Sequence, residues 1–338
     1  MKGFFTILLV CFMLFSAQEK ARADQYPPIK AYTTFEVQLA QELFDSFTLQ
    51  TGIPVEWVRL SSGEAVVRIE SEREVPQASI WVGGVGTQHI MLEQKGLSAS
   101  YVSPAAENIP EEYRDATNHW IGLYVGPLSF CMNSLAGELN GIPMPKKWSD
   151  LVKPVYKNRI SVAHPSTSGT AYNMITNVIR LFDGDEDKAF EFLVKLDKNI
   201  LKYTRAGAAP GKSVAIGEVT VAIGYLHDQI KLQVNGAPIE IAVPEDGAGF
   251  ETASMSLLKN GPEPETAKQL YDWILGPEAM SIFARWYVVP LSTQYKAPNP
   301  GFEFEKLNLV VQDDVWDASN KERLVARWDA EIGKFKQR

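Results

Sequence analysis

Between residues 29 and 82 the hydrophobic pattern switches from strand-like to helical and back twice, and that switching limits the folds open to the chain. Ile29–Thr33 reads as a strand. Val37–Leu49 reads as a helix, apolar at 39, 40, 43, 44 and 47, and Gly52 ends it. Val55–Leu60 is a second strand, after which Ser61-Ser62-Gly63-Glu64 has the spacing of a capped helix start. Ala78–Val82 is a third strand, closed by Gly83-Gly84. This βαβαβ alternation builds a parallel sheet with helices on its faces. Right-handed connections then bring the strand ends Thr33-Thr34 and Gly83-Gly84 to one edge.

A second system follows. Trp120–Met132 is apolar throughout, too long for one ordinary strand, and holds Gly126-Pro127 at its middle, so it is expected to cross between two lobes. Ile160–Val162 reads as a strand, His164–Gly169 as a polar loop, and Thr170–Phe182 as a helix with Tyr172, Ile175, Ile179 and Phe182 at core spacing. Ala189–Leu196 is another helix. Val214–Glu218 closes a further one before the strand Val219–Ile223, and Ile239–Val243 is the last strand of this unit. Ser254–Leu258 returns to the first lobe. Thr266–Trp286 is amphipathic helix broken at Gly276-Pro277, and Trp316–Phe335 is a helix of alternating charge. The expected organisation is lobe 1 over 24–126 and 244–300, lobe 2 over 127–243, and a C-terminal helical segment over 301–338 whose lobe the pattern leaves open.

Residues 1–23 read as a signal peptide: Lys2, an apolar core Phe4–Phe15, and the small-x-small signal Ala21-Arg22-Ala23. The core is shorter than the roughly 20 residues of a membrane span. Cys11 follows Leu-Leu-Val, which lacks the small residues of a lipoprotein site, so a soluble exported product beginning near Asp24 is expected. Cleavage leaves 30 of the 33 basic and 40 of the 41 acidic residues, a net charge of −10. With no block of Lys or Arg, nucleic acid is not an expected partner. Cys131 is then the single cysteine, in the apolar run Leu128–Met132, so no intramolecular disulfide forms.

Two stretches carry candidate chemistry. His227 and Asp228 follow the strand Val219–Ile223, and Glu251 follows the Gly-rich turn after Ile239–Val243. Groups just past strand ends point into the ligand crevice of an α/β sheet, although solvated loop positions fit the same spacing. The second stretch is Pro165-Ser166-Thr167-Ser168-Gly169-Thr170, between a strand and a helix. A helix start offers free N–H groups and a partial positive charge. One hydroxyl suffices as a cap. Four hydroxyls beside a glycine exceed that need and suit an anion.

Three other patterns fail a requirement. AGAAPGKS has Ala206 where a phosphate loop needs its first Gly, DGDEDK has Lys188 and Val194 where a calcium loop needs Gly and Glu, and GGVGTQH lacks the third Gly of a dinucleotide fingerprint. His89, His119, His164 and His227 show neither zinc spacing nor a neighbouring nucleophile signature, so no catalytic residue and no metal is assigned.

The signal peptide, the WVGG strand end, W-x-D-L…Y-K-N-R-I-x-V-A-H-P-x-x-S-G, GAAP…V-A-x-G-E-V-x-x-A-I-G-Y-L-H-D and P-x-D-G-x-G-F-E resemble bacterial periplasmic solute-binding proteins of the ferric-iron-binding type. The resemblance implies two α/β lobes, each a mainly parallel sheet with helices on both faces, joined by β-strand hinges: a type II periplasmic binding protein. It implies a monomer that serves an ABC transporter permease, without enzymatic activity or cofactor. Iron-binding members carry two adjacent tyrosines where this chain has Leu226-His227. The Leu-His-Asp version resembles the hexose-phosphate-binding branch. There His227, Asp228 and Glu251 are implied to hold sugar hydroxyls. Thr33, Thr34, Ser166, Thr167, Ser168, Gly169 and Thr170, with Gly207 and Ala208, are implied to lie around the phosphate, beside the strand-end loop Gly83-Gly84. The same groups would suit 2-aminoethylphosphonate, its ammonium near Asp228 and Glu251. Ferric iron binding and a secreted phosphatase using His227 and Asp228 stay as further alternatives.

Overall fold

A computed structural model describes residues 26–295 and 306–333. The signal peptide 1–23 with Cys11 and its cleavage site, residues 296–305, and Phe335 at the expected end of the last helix lie outside the described residues.

The first unit runs β1 (Ile29–Thr33), α1 (Val37–Thr51), β2 (Val55–Arg59), α2 (Ser62–Ser71), β3 (Ile80–Val85), α3 (Gly86–Gln94) and the short β4 (Ser98–Ala99). The crossing strand β5 (Ile121–Asn133) leads to α4 (Ser134–Asn140), β6 (Ile160–Ala163), α5 (Gly169–Leu181), α6 (Glu186–Asp197), β7 (Ile200–Thr204), α7 (Ala209–Ala215), β8 (Val221–Tyr225), α8 (Leu226–Val234) and β9 (Ile239–Ala242). The chain returns through β10 (Phe250–Leu258), α9 (Pro264–Ile274), α10 (Pro277–Arg285) and β11 (Val289–Pro290), and ends with α11 (Asp314–Glu331).

Local chemistry sets the boundaries. Gly52 stops α1 in the left-handed conformation, φ 77°, and its N–H donates to Thr48 O. At α2 the Glu64 carboxylate accepts from both the N–H and the hydroxyl of Ser61. Pro277 divides the long amphipathic stretch into α9 and α10, because proline suits a first helical turn but not an interior.

β1 pairs in parallel with β2 and β3, and β10 adds antiparallel to β3. Every position of β5 is buried. Its first half pairs with β10, Ile121 opposite Met255 and Pro127 opposite Phe250, and its second half pairs with β8 and β9. One continuous strand therefore serves both lobes and changes partners at the Gly126-Pro127 step singled out in the sequence. In the second lobe β6 is parallel to β7 and β8. The sheets are mixed rather than mainly parallel, because β5, β9 and β10 all run against their neighbours.

Two main cores result. Phe44, Phe47, Val82, Leu123, Met255 and Phe283 lie in one. Phe130, Trp148, Tyr172, Phe190 and Ile223 lie in the other, and α11 adds Leu324 and Trp328 to it. Burying each such side chain contributes about 1.5–3 kcal/mol. The same helix packs Ala318 against Ile90 and Met91 of α3. The C-terminal helix is thus anchored in the second core and reaches across to the first unit.

Candidate functional site

The carboxyl ends of β1, β2 and β3 face those of β6, β7 and β8 across a cavity of about 470 Å³. One end is built by α5. Ser168 is its N-cap, with the hydroxyl accepting from Ala171 N at a long 3.4 Å. Gly169 and Thr170 form the first turn. Gly207 closes over them: a Cβ there would lie 2.0 Å from Thr170 Oγ1. From the other lobe Gly84, at φ 97°, lets the backbone pass within reach of the Thr34 and Ser62 hydroxyls. Ser168, Gly169, Thr170, Gly207, Ala208 and Thr34 all line the cavity.

Four residues expected near this end do not line it. The Thr33 hydroxyl is wholly buried and accepts from Phe35 N at 3.2 Å. Gly83 is wedged against the Phe35 ring, and its carbonyl faces His89 Nε2 at 3.1 Å. Ser166 Oγ is engaged with His164 Nδ1 at 2.7 Å, and Thr167 Oγ1 donates to Arg205 O at 2.8 Å. Each of the three hydroxyls is already engaged within the protein.

The opposite end gathers His227, Asp228 and Glu251. His227 and Asp228 sit in the first turn of α8 rather than in a loop, and Glu251 is the second residue of β10. His227 Nε2 lies 3.7 Å from both Asp228 Oδ1 and Glu251 Oε1. Tyr225 stacks on the imidazole and Tyr124 meets it edge-on. Gly126 makes room beneath, since a Cβ there would reach within 2.6 Å of Nδ1. Among the described residues that Nδ1 has no hydrogen-bond partner, and the Tyr225 hydroxyl is buried beside Thr170 without a well-formed bond.

Burial governs the charges here. It pulls His227 down to about 3 and pushes Asp228 up to about 7. Glu36 adds to the Asp228 shift, while Lys212 and Arg59 oppose it. Glu251 rises well above the usual carboxylate range through burial and then the Asp228 charge. Near neutral pH the imidazole is therefore neutral, Glu251 is protonated and Asp228 lies close to its midpoint.

The strand-end rule applied to β2 would have pointed to Arg59, and to Ser61 and Ser62 beyond it, all of which line the cavity. Lys212, inside the GKS segment set aside as a failed phosphate loop, also faces it, paired with Glu36 at 2.9 Å. Lys231 lies 4.0 Å from the centre of the Trp286 ring across the mouth. Tyr124 and Tyr225 carried no sequence signal beyond belonging to apolar runs.

The site offers hydroxyls and helix N–H groups to an anion at one end, and paired carboxyls with an imidazole to hydroxyl or amine groups at the other. Two α/β lobes hinged on β5 and β10 around such a cleft define a type II solute-binding protein. The chain belongs to the bacterial extracellular solute-binding protein family, whose model matches residues 88–315. It is similar to the periplasmic binding protein AfuA from Actinobacillus pleuropneumoniae, solved with exogenous fructose-6-phosphate bound. The two are 30% identical with a TM-score of 0.87, over 90% of this chain and 98% of that one. A putative 2-aminoethylphosphonate-binding periplasmic protein of Salmonella paratyphi A is 28% identical over 78% of this chain and 79% of its own. Iron-bound HitA from Pseudomonas aeruginosa, 20% identical with a TM-score of 0.76 over 89% of this chain and 99% of that one, shares the fold.

Proposed function

We propose that the protein captures a phosphorylated sugar in the periplasm and delivers it, as a monomer, to the permease of an ABC importer. It is exported by a signal peptide cleaved near Ala23 and acts as a binding protein, not an enzyme, with no cofactor. The observation that carries this reading is the two-ended cavity. The phosphate sits on Ser168, Gly169, Thr170, Gly207 and Ala208 with Thr34, and the sugar hydroxyls meet His227, Asp228 and Glu251. Carboxylates accept paired bonds from vicinal diols, and a buried charge is tolerable when so engaged. The likeness to AfuA supports it. Leu226, apolar and 4% exposed, stands where ferric binding would call for a phenolate.

A second reading is 2-aminoethylphosphonate, favoured by two carboxyls that, among the described residues, have no lysine or arginine in ion-pair contact, and by the likeness to the putative 2-aminoethylphosphonate-binding protein of Salmonella paratyphi A. Titration calorimetry with fructose 6-phosphate and 2-aminoethylphosphonate separates the two. Tight binding of the sugar phosphate and weak binding of the phosphonate is expected. The reverse order replaces the first reading by the second.

A further inference from the structure

Lys321, on α11, is 7% exposed. An unpaired ammonium is costly to bury. With the Gln88 amide turned so that its nitrogen donates to Val85 O at 3.0 Å, the amide oxygen accepts from Lys321 Nζ at 2.7 Å. The Tyr172 ring centre lies 5.6 Å from Nζ. On its own helix Asp317 pairs with Arg180 at 2.7 Å and Glu322 with Lys95 at 3.2 Å, while Asp314, pushed up to about 6 by burial, lies about two turns toward the helix start. Burial draws the ammonium down to about 7, against a smaller opposing pull from Glu322.

Gln88 also touches the anion end of the cavity. A Cβ on Gly169 would come within 3.2 Å of its side-chain amide and within 3.2 Å of the Ser62 hydroxyl. Lys321, Gln88 and the first turn of α5 are therefore consecutive neighbours.

We propose that Lys321 is a positioning residue for the anionic end of the ligand, supplying through Gln88 a buried positive charge behind the α5 N-terminus. This rests on the anion-binding role given to that end above. A bound anion favours the charged form of a nearby ammonium, and by reciprocity the charged form favours the anion. Protonation gained on binding strengthens affinity below pH 7 and fades as pH rises through the ammonium's range in the complex. The groups facing Lys321 are Gln88 from α3, Tyr172 from α5, and Glu322 with the Asp317–Arg180 pair around its own helix. The second ionisation of the phosphate, the Asp228–Glu251 pair and Asp314 titrate in wild type and variant alike, so their difference isolates Lys321.

Affinity for fructose 6-phosphate, with 2-aminoethylphosphonate and inorganic phosphate as further probes, is measured from pH 6 to 9 on wild type, Lys321→Met and Gln88→Glu. Lys321→Met should weaken binding about tenfold at pH 6.5, the gap narrowing to about twofold by pH 9. Gln88→Glu ties the ammonium to a carboxylate and should weaken binding at every pH. Should Lys321→Met fail to fold, Lys321→Gln, which removes the charge but keeps a hydrogen-bond donor toward Gln88, takes its place with the same expected pH dependence. Equal affinities in all three proteins, or a loss from Lys321→Met that is the same at every pH, overturn the proposal. A wild type that binds none of the probes overturns the functional reading, and this proposal with it.

Discussion

Asp228 carries a buried carboxyl whose charge is costly in the folded protein. Burial raises it to about 7 against an ordinary 3.8, so folding takes up a proton between those values. The sign follows: the folded state is favoured in full below about pH 4, and that contribution is lost as pH rises through 7. Asp228→Asn abolishes this penalty. At pH 7.5 the empty variant should melt about 2–4 °C above wild type, the gap closing near pH 4, while fructose 6-phosphate affinity falls about 10- to 100-fold. Differential scanning calorimetry across pH with parallel binding titrations checks both halves. A variant no more stable at pH 7.5 would show Asp228 already compensated in the empty site. His227 and Asp228 are legible as candidates because they come just after a strand, and Glu251 because it follows the Gly-rich turn. The sequence could not separate Ser168, which caps α5 and lines the cavity, from Ser166, which His164 holds two residues away. That difference lies in rotamers and loop bonds, which spacing does not encode.

At the scale of elements, strong periodicity made β1, α1, β2 and the long crossing strand readable nearly to the residue. Among the elements that escaped, three did so for clear physical reasons. Residues Gly86 to Leu92 of α3 are buried on all sides, so no amphipathic stripe marks it. β7 is exposed at two of its five positions and pairs on one edge only. α8 buries only Leu226 and Gln229, so its polar surface imitates a loop. This last miss bears on function, because the strand-end reading left a solvated loop open for His227 and Asp228, which in fact sit in a helical turn. The α5 start offers an element-scale test. Gly207→Ala sets a methyl 2.0 Å from Thr170 Oγ1 and forces the Gly207 loop off the helix N-terminus. Phosphate-ligand affinity should drop more than about tenfold, with the melting temperature of the empty protein within about 2 °C of wild type. Unchanged affinity would remove this loop from the anion cradle.

The whole molecule is held closed by contacts that are individually weak. Arg205 pairs with Glu64, Lys212 with Glu36, and Gly63 N donates to Thr167 O at 3.1 Å, each joining one lobe to the other. Exposed ion pairs contribute about 0–1 kcal/mol each and weaken with salt, so a bound ligand must supply much of the closing free energy. Gly63 separates closure from folding. It is the second residue of α2 at an ordinary helical φ, where alanine is the better helix former. Across the cleft, however, a Cβ at Gly63 would meet Ser166 O at 2.7 Å and Thr167 O at 3.0 Å, both backbone atoms with little room to yield. Gly63→Ala should therefore fold as well as wild type, bind fructose 6-phosphate at least about tenfold more weakly, and show no ligand-induced decrease in radius of gyration by solution X-ray scattering, where wild type contracts. A variant that contracts as wild type does would mean that the lobes close without this backbone contact, leaving the ligand and the rim ion pairs to set the closed geometry.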